Sequence, residues 1–124
     1  MPKILIVEDE EKLARFVELE LSHEGYEVDK AFDGRDGLEK LESGGYDLAL
    51  LDISLPDMNG IALAKRIQEL RPGTDIVFVT GHPQYAADSW SVHPKGYLLK
   101  PITKKDLQEE LDYILSVRSS CRHA

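Results

Sequence analysis

The chain has 124 residues, of which 42% are hydrophobic and 31% charged, with a formal net charge of -8 and a single cysteine, Cys121. That length fits one domain that buries its own core without staples, and no apolar run approaches the ~20 residues that span a bilayer. The acidic balance argues against direct binding to nucleic acid or an anionic membrane, and one cysteine cannot build an internal disulfide framework, so a cytoplasmic, reducing setting is expected.

The chain enters its first strand pattern at once, without a signal-peptide layout. Lys3 to Val7 is a short β-rich run that stops abruptly at Glu8-Asp9-Glu10-Glu11. Leu13, Phe16, Val17 and Leu21 then recur at helical spacing, and Gly25 ends that helix. Tyr26 to Phe32 reads as a second strand, less apolar and near an edge. Asp33-Gly34 is a turn into a helix carrying Leu38 and Leu41, which Gly44-Gly45 breaks. Asp47 to Asp52 is nearly continuous and apolar, as expected of a strand covered on both faces. A loop with Pro56, Asp57 and Asn59-Gly60 follows, and then a helical stripe of Leu63, Ile67 and Leu70 that Pro72-Gly73 stops. Asp75 to Thr80 is the fourth strand, and Gly81-His82-Pro83 turns into a short helix around Tyr85 to Trp90. Gly96 to Lys100 is the fifth strand, closed by Pro101. Thr103 to Asp106 has the spacing of a capping box for a last helix bearing Leu107, Leu111, Ile114 and Leu115. The segment from Ser116 to Ala124 is small and polar, and reads as the start of a linker or a fraying end. The expected organisation is one domain over 1–118 and a tail over 119–124. Five strands alternating with five helices predict an α/β fold: a doubly wound five-stranded parallel sheet with helices on both faces.

Open α/β sheets bind ligands beyond the carboxyl ends of their strands. The first strand ends in Glu8-Asp9, the third in Asp52, the fourth in Thr80 and the fifth in Lys100-Pro101. Asp33-Gly34, after the second, is turn chemistry. Each residue alone has a plain reading. Glu8 and Asp9 suit the first turn of a helix, Thr80 suits the cap of a turn, and Lys100 suits any acid nearby. Asp52 is harder to dismiss, because an unpaired charge after a buried strand is costly. Their joint placement is the informative observation. Three close carboxylates repel unless a hard divalent cation compensates them, and Mg²⁺ takes carboxylates, waters and a phosphate oxygen. A carboxylate can attack phosphorus to give an aspartyl phosphate, with a fixed ammonium offsetting charge on the phosphoryl oxygens.

The segments Ile4 to Glu10, Leu50 to Gly60, Phe78 to Gly81 and Gly96 to Pro101 resemble the response-regulator receiver family of two-component signalling, in order from about Lys3 to Leu115. The resemblance implies a flavodoxin-like sheet of order 2-1-3-4-5 and a phosphoacceptor switch, not a turnover enzyme. It makes Asp52 the phosphoacceptor, Asp9 a direct Mg²⁺ ligand, Glu8 a ligand through water and the Ser54 main-chain carbonyl a further ligand. Thr80 and Lys100 would hold phosphoryl oxygens, and Pro101 would follow Lys100 through a cis bond. Tyr97 matches the aromatic switch position and Gly60 the tight-turn glycine. The implied partners are a histidine kinase as phosphodonor and a second copy of the chain in a phosphorylation-dependent homodimer, with DNA reached only through another domain. Phosphorylation would act on a surface that includes Tyr85, Trp90 and Tyr97.

Some positions depart from the commonest pattern. Glu8 stands where Asp is more frequent, Gly81 where Ala is common, and His82 flanks the pocket. The stretches Thr80 to Asp88 and His93 to Pro101 resemble receivers joined to LytTR-type output domains, whereas Lys3 to Gly37 resembles receivers joined to winged-helix domains. Three rivals compete. A haloacid-dehalogenase-type phosphatase wants a second acid two residues after its nucleophile, and that place is Ser54. A flavodoxin needs a Ser-, Thr- and Gly-rich phosphate loop where Glu8-Asp9-Glu10 would repel a flavin phosphate. A pseudo-receiver that only binds partners normally lacks one of the pocket residues, and all are present.

Overall fold

The computed structural model describes residues 2–82, 84 and 92–123, with side chains through Val117. Five strands are present: β1 Lys3–Val7, β2 Glu27–Ala31, β3 Leu48–Asp52, β4 Asp75–Thr80 and β5 Gly96–Leu99. They pair in parallel throughout, in the order β2-β1-β3-β4-β5. The four described helices are α1 Glu11–His23, α2 Gly34–Ser43, α3 Gly60–Leu70 and α4 Lys104–His123. The expected short helix around Tyr85 to Trp90 lies outside the described residues.

Alternation along the strands builds both faces of the sheet. Leu5, Val7, Ala49, Leu51 and Phe78 face one way and join Leu41 of α2 with Leu63, Ala64 and Ile67 of α3. Ile4, Ile6, Leu48, Leu50, Val77, Val79 and Leu98 face the other way and join Ala14, Val17 and Leu21 of α1 with Leu107, Leu111 and Ile114 of α4. Burial on both faces explains why β3 reads as a continuous apolar run, and β2 at the sheet edge as a mixed one.

Local chemistry sets the helix ends. Asp33 caps α2 by accepting from the Asp36 amide at 2.7 Å, and Asn59 caps α3 by accepting from the Ile61 amide at 2.7 Å. Gly25, at φ 89°, closes α1: its amide donates to the Ser22 carbonyl, and the Tyr26 amide to that of Leu21. Of the capping box before α4, one half is present, with the Asp106 amide donating to Thr103 Oγ1 at 3.1 Å. α4 continues through the segment from Ser116 to His123. No Gly or Pro interrupts residues 104–123, so nothing local stops the helix once its core face has started it. The side chain of Cys121 lies outside the described residues.

Gly60 is fixed by the loop it closes. Its amide donates to the Ile53 carbonyl at 2.7 Å, and a Cβ added there would lie 2.2 Å from the Asp52 carbonyl oxygen. Gly45, by contrast, has nothing within 4 Å of such a Cβ. Gly60→Ala is therefore expected to lower the unfolding free energy by about 2 kcal/mol or more in urea titrations, since main chain cannot yield as a flexible side chain can. Gly45→Ala should be neutral or slightly stabilising, by up to about 1 kcal/mol.

Candidate functional site

The strand order brings the carboxyl ends of β1, β3, β4 and β5 to one edge of the sheet. Glu8 follows β1 directly, Asp52 is the last residue of β3, Thr80 the last of β4, and Lys100 follows β5. Val79 pairs with Asp52 across the sheet and Leu99 with Thr80, which sets these residues side by side. The Asp33 end of β2 stays apart, occupied in capping α2.

Glu8 and Asp52 are each only 3% exposed, Thr80 2%, while Asp9 is open to solvent. Carboxylate oxygens of Glu8, Asp9 and Asp52 lie within 4.8 Å of one another. At an effective dielectric near 20, each ionised pair at that separation costs roughly 3 kcal/mol. Lys100 offsets part of this cost, with Nζ 3.1 Å from Glu8 Oε1 and 3.2 Å from Asp52 Oδ2. Asp52 Oδ1 accepts from the Ser54 amide at 3.0 Å, and Glu8 Oε2 from the Glu10 amide at 3.1 Å. Glu8 Oε1 is buried without an aligned hydrogen-bond donor, although the Lys100 ammonium is close. Burial first, and then the hydrogen bond with Asp52, push the Glu8 carboxyl up to about 8. Burial pulls the Lys100 ammonium down, but the charges of Glu8 and Asp52 outweigh it and raise its pKa. Three acids and one ammonium, all ionised, would leave a net charge of -2, from -3 and +1. An unsatisfied buried carboxylate oxygen in such a cluster suits a hard divalent cation with oxygen ligands.

The other residues singled out in the sequence fall around this cluster. The Thr80 hydroxyl accepts from the His82 amide at 3.0 Å, so it caps the turn after β4 while standing beside the acids. Tyr97 lies on β5 opposite Phe78 of β4, the ring centroids 5.8 Å apart, half-buried against the core. Burial raises the pKa of its hydroxyl. The Lys100–Pro101 peptide bond is cis. Tyr85 and Trp90 lie outside the described residues. Among the described residues, no helix is long and apolar enough to cross a membrane.

One loop residue has a role that the sequence pattern did not mark. Asp57 sits in the loop after β3, and its carboxylate accepts from the amides of Gly34 and Arg35 at 2.8 and 3.0 Å. A signal was present: Asn59 caps α3, which leaves Asp57, the one acid of the loop, without a local task.

The family model described as "Response regulator receiver domain" matches residues 4–112. The response regulator ArlR of Staphylococcus saprophyticus is 47% identical over 76% of this chain and 46% of its own length. ArlR of Staphylococcus aureus strain Mu50 is 45% identical over 76% of this chain and 47% of its length. The chain thus spans about half the length of these relatives. Among solved structures, a CheY-like receiver domain protein from Methanospirillum hungatei superposes with a TM-score of 0.91 at 34% identity, covering 97% of this chain and 98% of that one. TrrA of Thermotoga maritima, solved in complex with Mg²⁺-BeF, gives 0.84 at 34% identity, covering 91% and 98%.

The Glu8 environment generates a pH dependence without any metal. Its folded pKa stands above the ordinary 4.5, so the stability it contributes is fully present below pH 4.5 and is lost as pH rises through about 8. In EDTA, Glu8→Gln is expected to melt higher than the wild type at pH 8. The gap should shrink toward zero below pH 5, as thermal scans across that range would show.

Proposed function

The chain belongs to the response regulator receiver family, and on that premise we propose that it is a phosphoacceptor switch in which Asp52 takes a phosphoryl group from a histidine kinase with Mg²⁺ as cofactor. The observation that carries this reading is the convergence of three carboxylates and one ammonium from three strand ends, with Asp52 at the centre. In the transfer, Asp52 attacks phosphorus, the bond to the donor breaks, and an acyl phosphate forms on the carboxylate. Lys100 then has a phosphoryl oxygen to neutralise in place of Asp52 Oδ2, and the Thr80 hydroxyl acquires an acceptor beside it. Glu8, Asp9, Asp52 and the Ser54 main-chain carbonyl would hold the cation, which when bound offsets charge on the transferred phosphoryl oxygens. The comparison with TrrA supports this choice, since that protein was solved with Mg²⁺-BeF. The domain works as a switch that changes its own state, not as an enzyme that turns over a substrate, and a cytoplasmic setting follows from that role.

The switch lies between β4 and β5. A Thr80 drawn toward a phosphoryl oxygen would give up its contacts with the turn at His82, and the neighbouring Tyr97 ring would settle further beside Phe78. Only a few kcal/mol of differential interaction shifts such a two-state balance. The surface affected includes Leu99, Tyr113 and Val117, which are exposed apolar residues on β5 and α4, and a two-fold dimer through it is the proposed output.

Two outcomes test the acceptor. Incubated with acetyl phosphate and Mg²⁺, the wild type should gain one phosphoryl adduct by intact mass, and Asp52→Asn should gain none while melting no lower. Without phosphodonor, millimolar-range Mg²⁺ should raise the melting temperature of the wild type by mass action, and Asp9→Ala should remove that response. Steady consumption of the phosphodonor without an adduct would instead point to a phosphatase.

The output has its own test in sedimentation velocity with and without beryllofluoride. A shift toward dimer on Asp52 occupancy is expected, and Tyr113→Glu should prevent it without affecting phosphorylation. An unmoved mass distribution at full occupancy would refute the dimer.

A further inference from the structure

The loop after Asp52 is held differently at its base and at its tip. At the base, Ser54 and Asn59 form an antiparallel bridge, the Gly60 amide donates to the Ile53 carbonyl at 2.7 Å, and the Ser54 amide donates to Asp52 Oδ1 at 3.0 Å. At the tip, the Asp57 carboxylate reaches across to α2, with Oδ1 accepting from the Gly34 amide at 2.8 Å and Oδ2 from the Arg35 amide at 3.0 Å. Met58 seats on the same spot, since a Cβ on Gly34 would come within 2.6 Å of its sulfur. The Gly34 amide is the main reason that the Asp57 carboxyl lies below the usual carboxylate range. Charge-assisted bonds to two free amides in the first turn of a helix are favoured further by the helix dipole.

We infer that Asp57 is a positioning residue for the Asp52 pocket, one that ties the tip of the loop to the start of α2 and thereby fixes the main chain at Ser54. The inference rests on the phosphoacceptor reading above, because the Ser54 carbonyl matters only where a cation is held. The tie passes through the closed turn from Ser54 to Asn59, so a shift of its tip is transmitted to its base. Groups that hold a metal's ligands without touching it change metal affinity by roughly ten- to a hundredfold when removed.

The test compares Asp57→Ala, Asp57→Asn and Arg71→Ala with the wild-type chain, titrating Mg²⁺ by calorimetry and following amide exchange in EDTA. Asp57→Ala should raise the half-saturating Mg²⁺ concentration roughly tenfold and speed exchange at the Ser54 amide. Saturating Mg²⁺ should restore its phosphorylation by acetyl phosphate toward the wild-type rate. Asp57→Asn, whose amide oxygen can still accept from the helix, should fall between. Arg71→Ala removes hydrogen bonds to the Leu41 and Glu42 carbonyls at the other end of α2 and should leave Mg²⁺ half-saturation unchanged. An unchanged half-saturation in Asp57→Ala overturns the inference, as does an equal loss in Arg71→Ala, which would mark general loosening of α2. A wild-type chain that binds no Mg²⁺ overturns the phosphoacceptor reading and this inference together, and is told apart because the failure then lies in the wild type.

Discussion

The Lys100 ammonium stands 3.1 Å from Glu8 and 3.2 Å from Asp52, a single cation shared by two buried carboxylates. Buried charges persist only when paired, so losing this one ammonium would leave two buried carboxylates uncompensated, whereas losing one acid relieves their repulsion. Here the pairing is incomplete by design of the fold: one ammonium faces three acids, and Glu8 Oε1 lacks an aligned donor. The carboxyl of Glu8 responds by holding its proton up to about pH 8. Among the described residues, Glu8 Oε1 is the buried side-chain oxygen without a hydrogen-bond partner, so the polar shortfall is concentrated in this pocket. The pocket gains whenever something positive arrives, and it changes whenever the charge on Asp52 changes.

That shortfall is tolerable because the frame around it is stiff. Alternate residues of β1, β3 and β4 are buried on opposite faces, so neither face can shift without opening the core beneath α2 and α3 or beneath α1 and α4. The loops above the sheet are pinned separately. Gly60 lies so close to the Asp52 carbonyl that only a glycine fits, and Asp57 fastens the same loop to α2. Between β4 and β5, the Thr80 hydroxyl accepts from the His82 amide, and Tyr97 packs half-buried on Phe78.

Among relatives of about twice its length, this chain corresponds to the receiver portion. Its acidic net charge of -8 disfavours contact with the phosphate backbone of nucleic acid. The exposed apolar residues Leu99, Tyr113 and Val117 lie on the last strand and last helix.

The sequence by itself determined the number of strands and their parallel alternation with helices, because a strand covered on both faces must be written as a short apolar run and a parallel pair needs a helix between its members; the order 2-1-3-4-5 came from the resemblance to the receiver family. It also placed Glu8, Asp52, Thr80 and Lys100 at strand ends, since in a parallel sheet every such end points to the same edge. It left the end of α4 open, since the segment from Ser116 is small and polar but contains nothing to stop a helix. Only the tertiary structure decided how the charges share their partners. Lys100 meets Asp52 across 48 residues of sequence, and Asp57 meets Gly34 across 23. No periodicity records such contacts, because they depend on how far a side chain reaches once two elements have packed. The raised Glu8 carboxyl and the tie from Asp57 to α2 are consequences of that packing, and they exist only when the chain is folded.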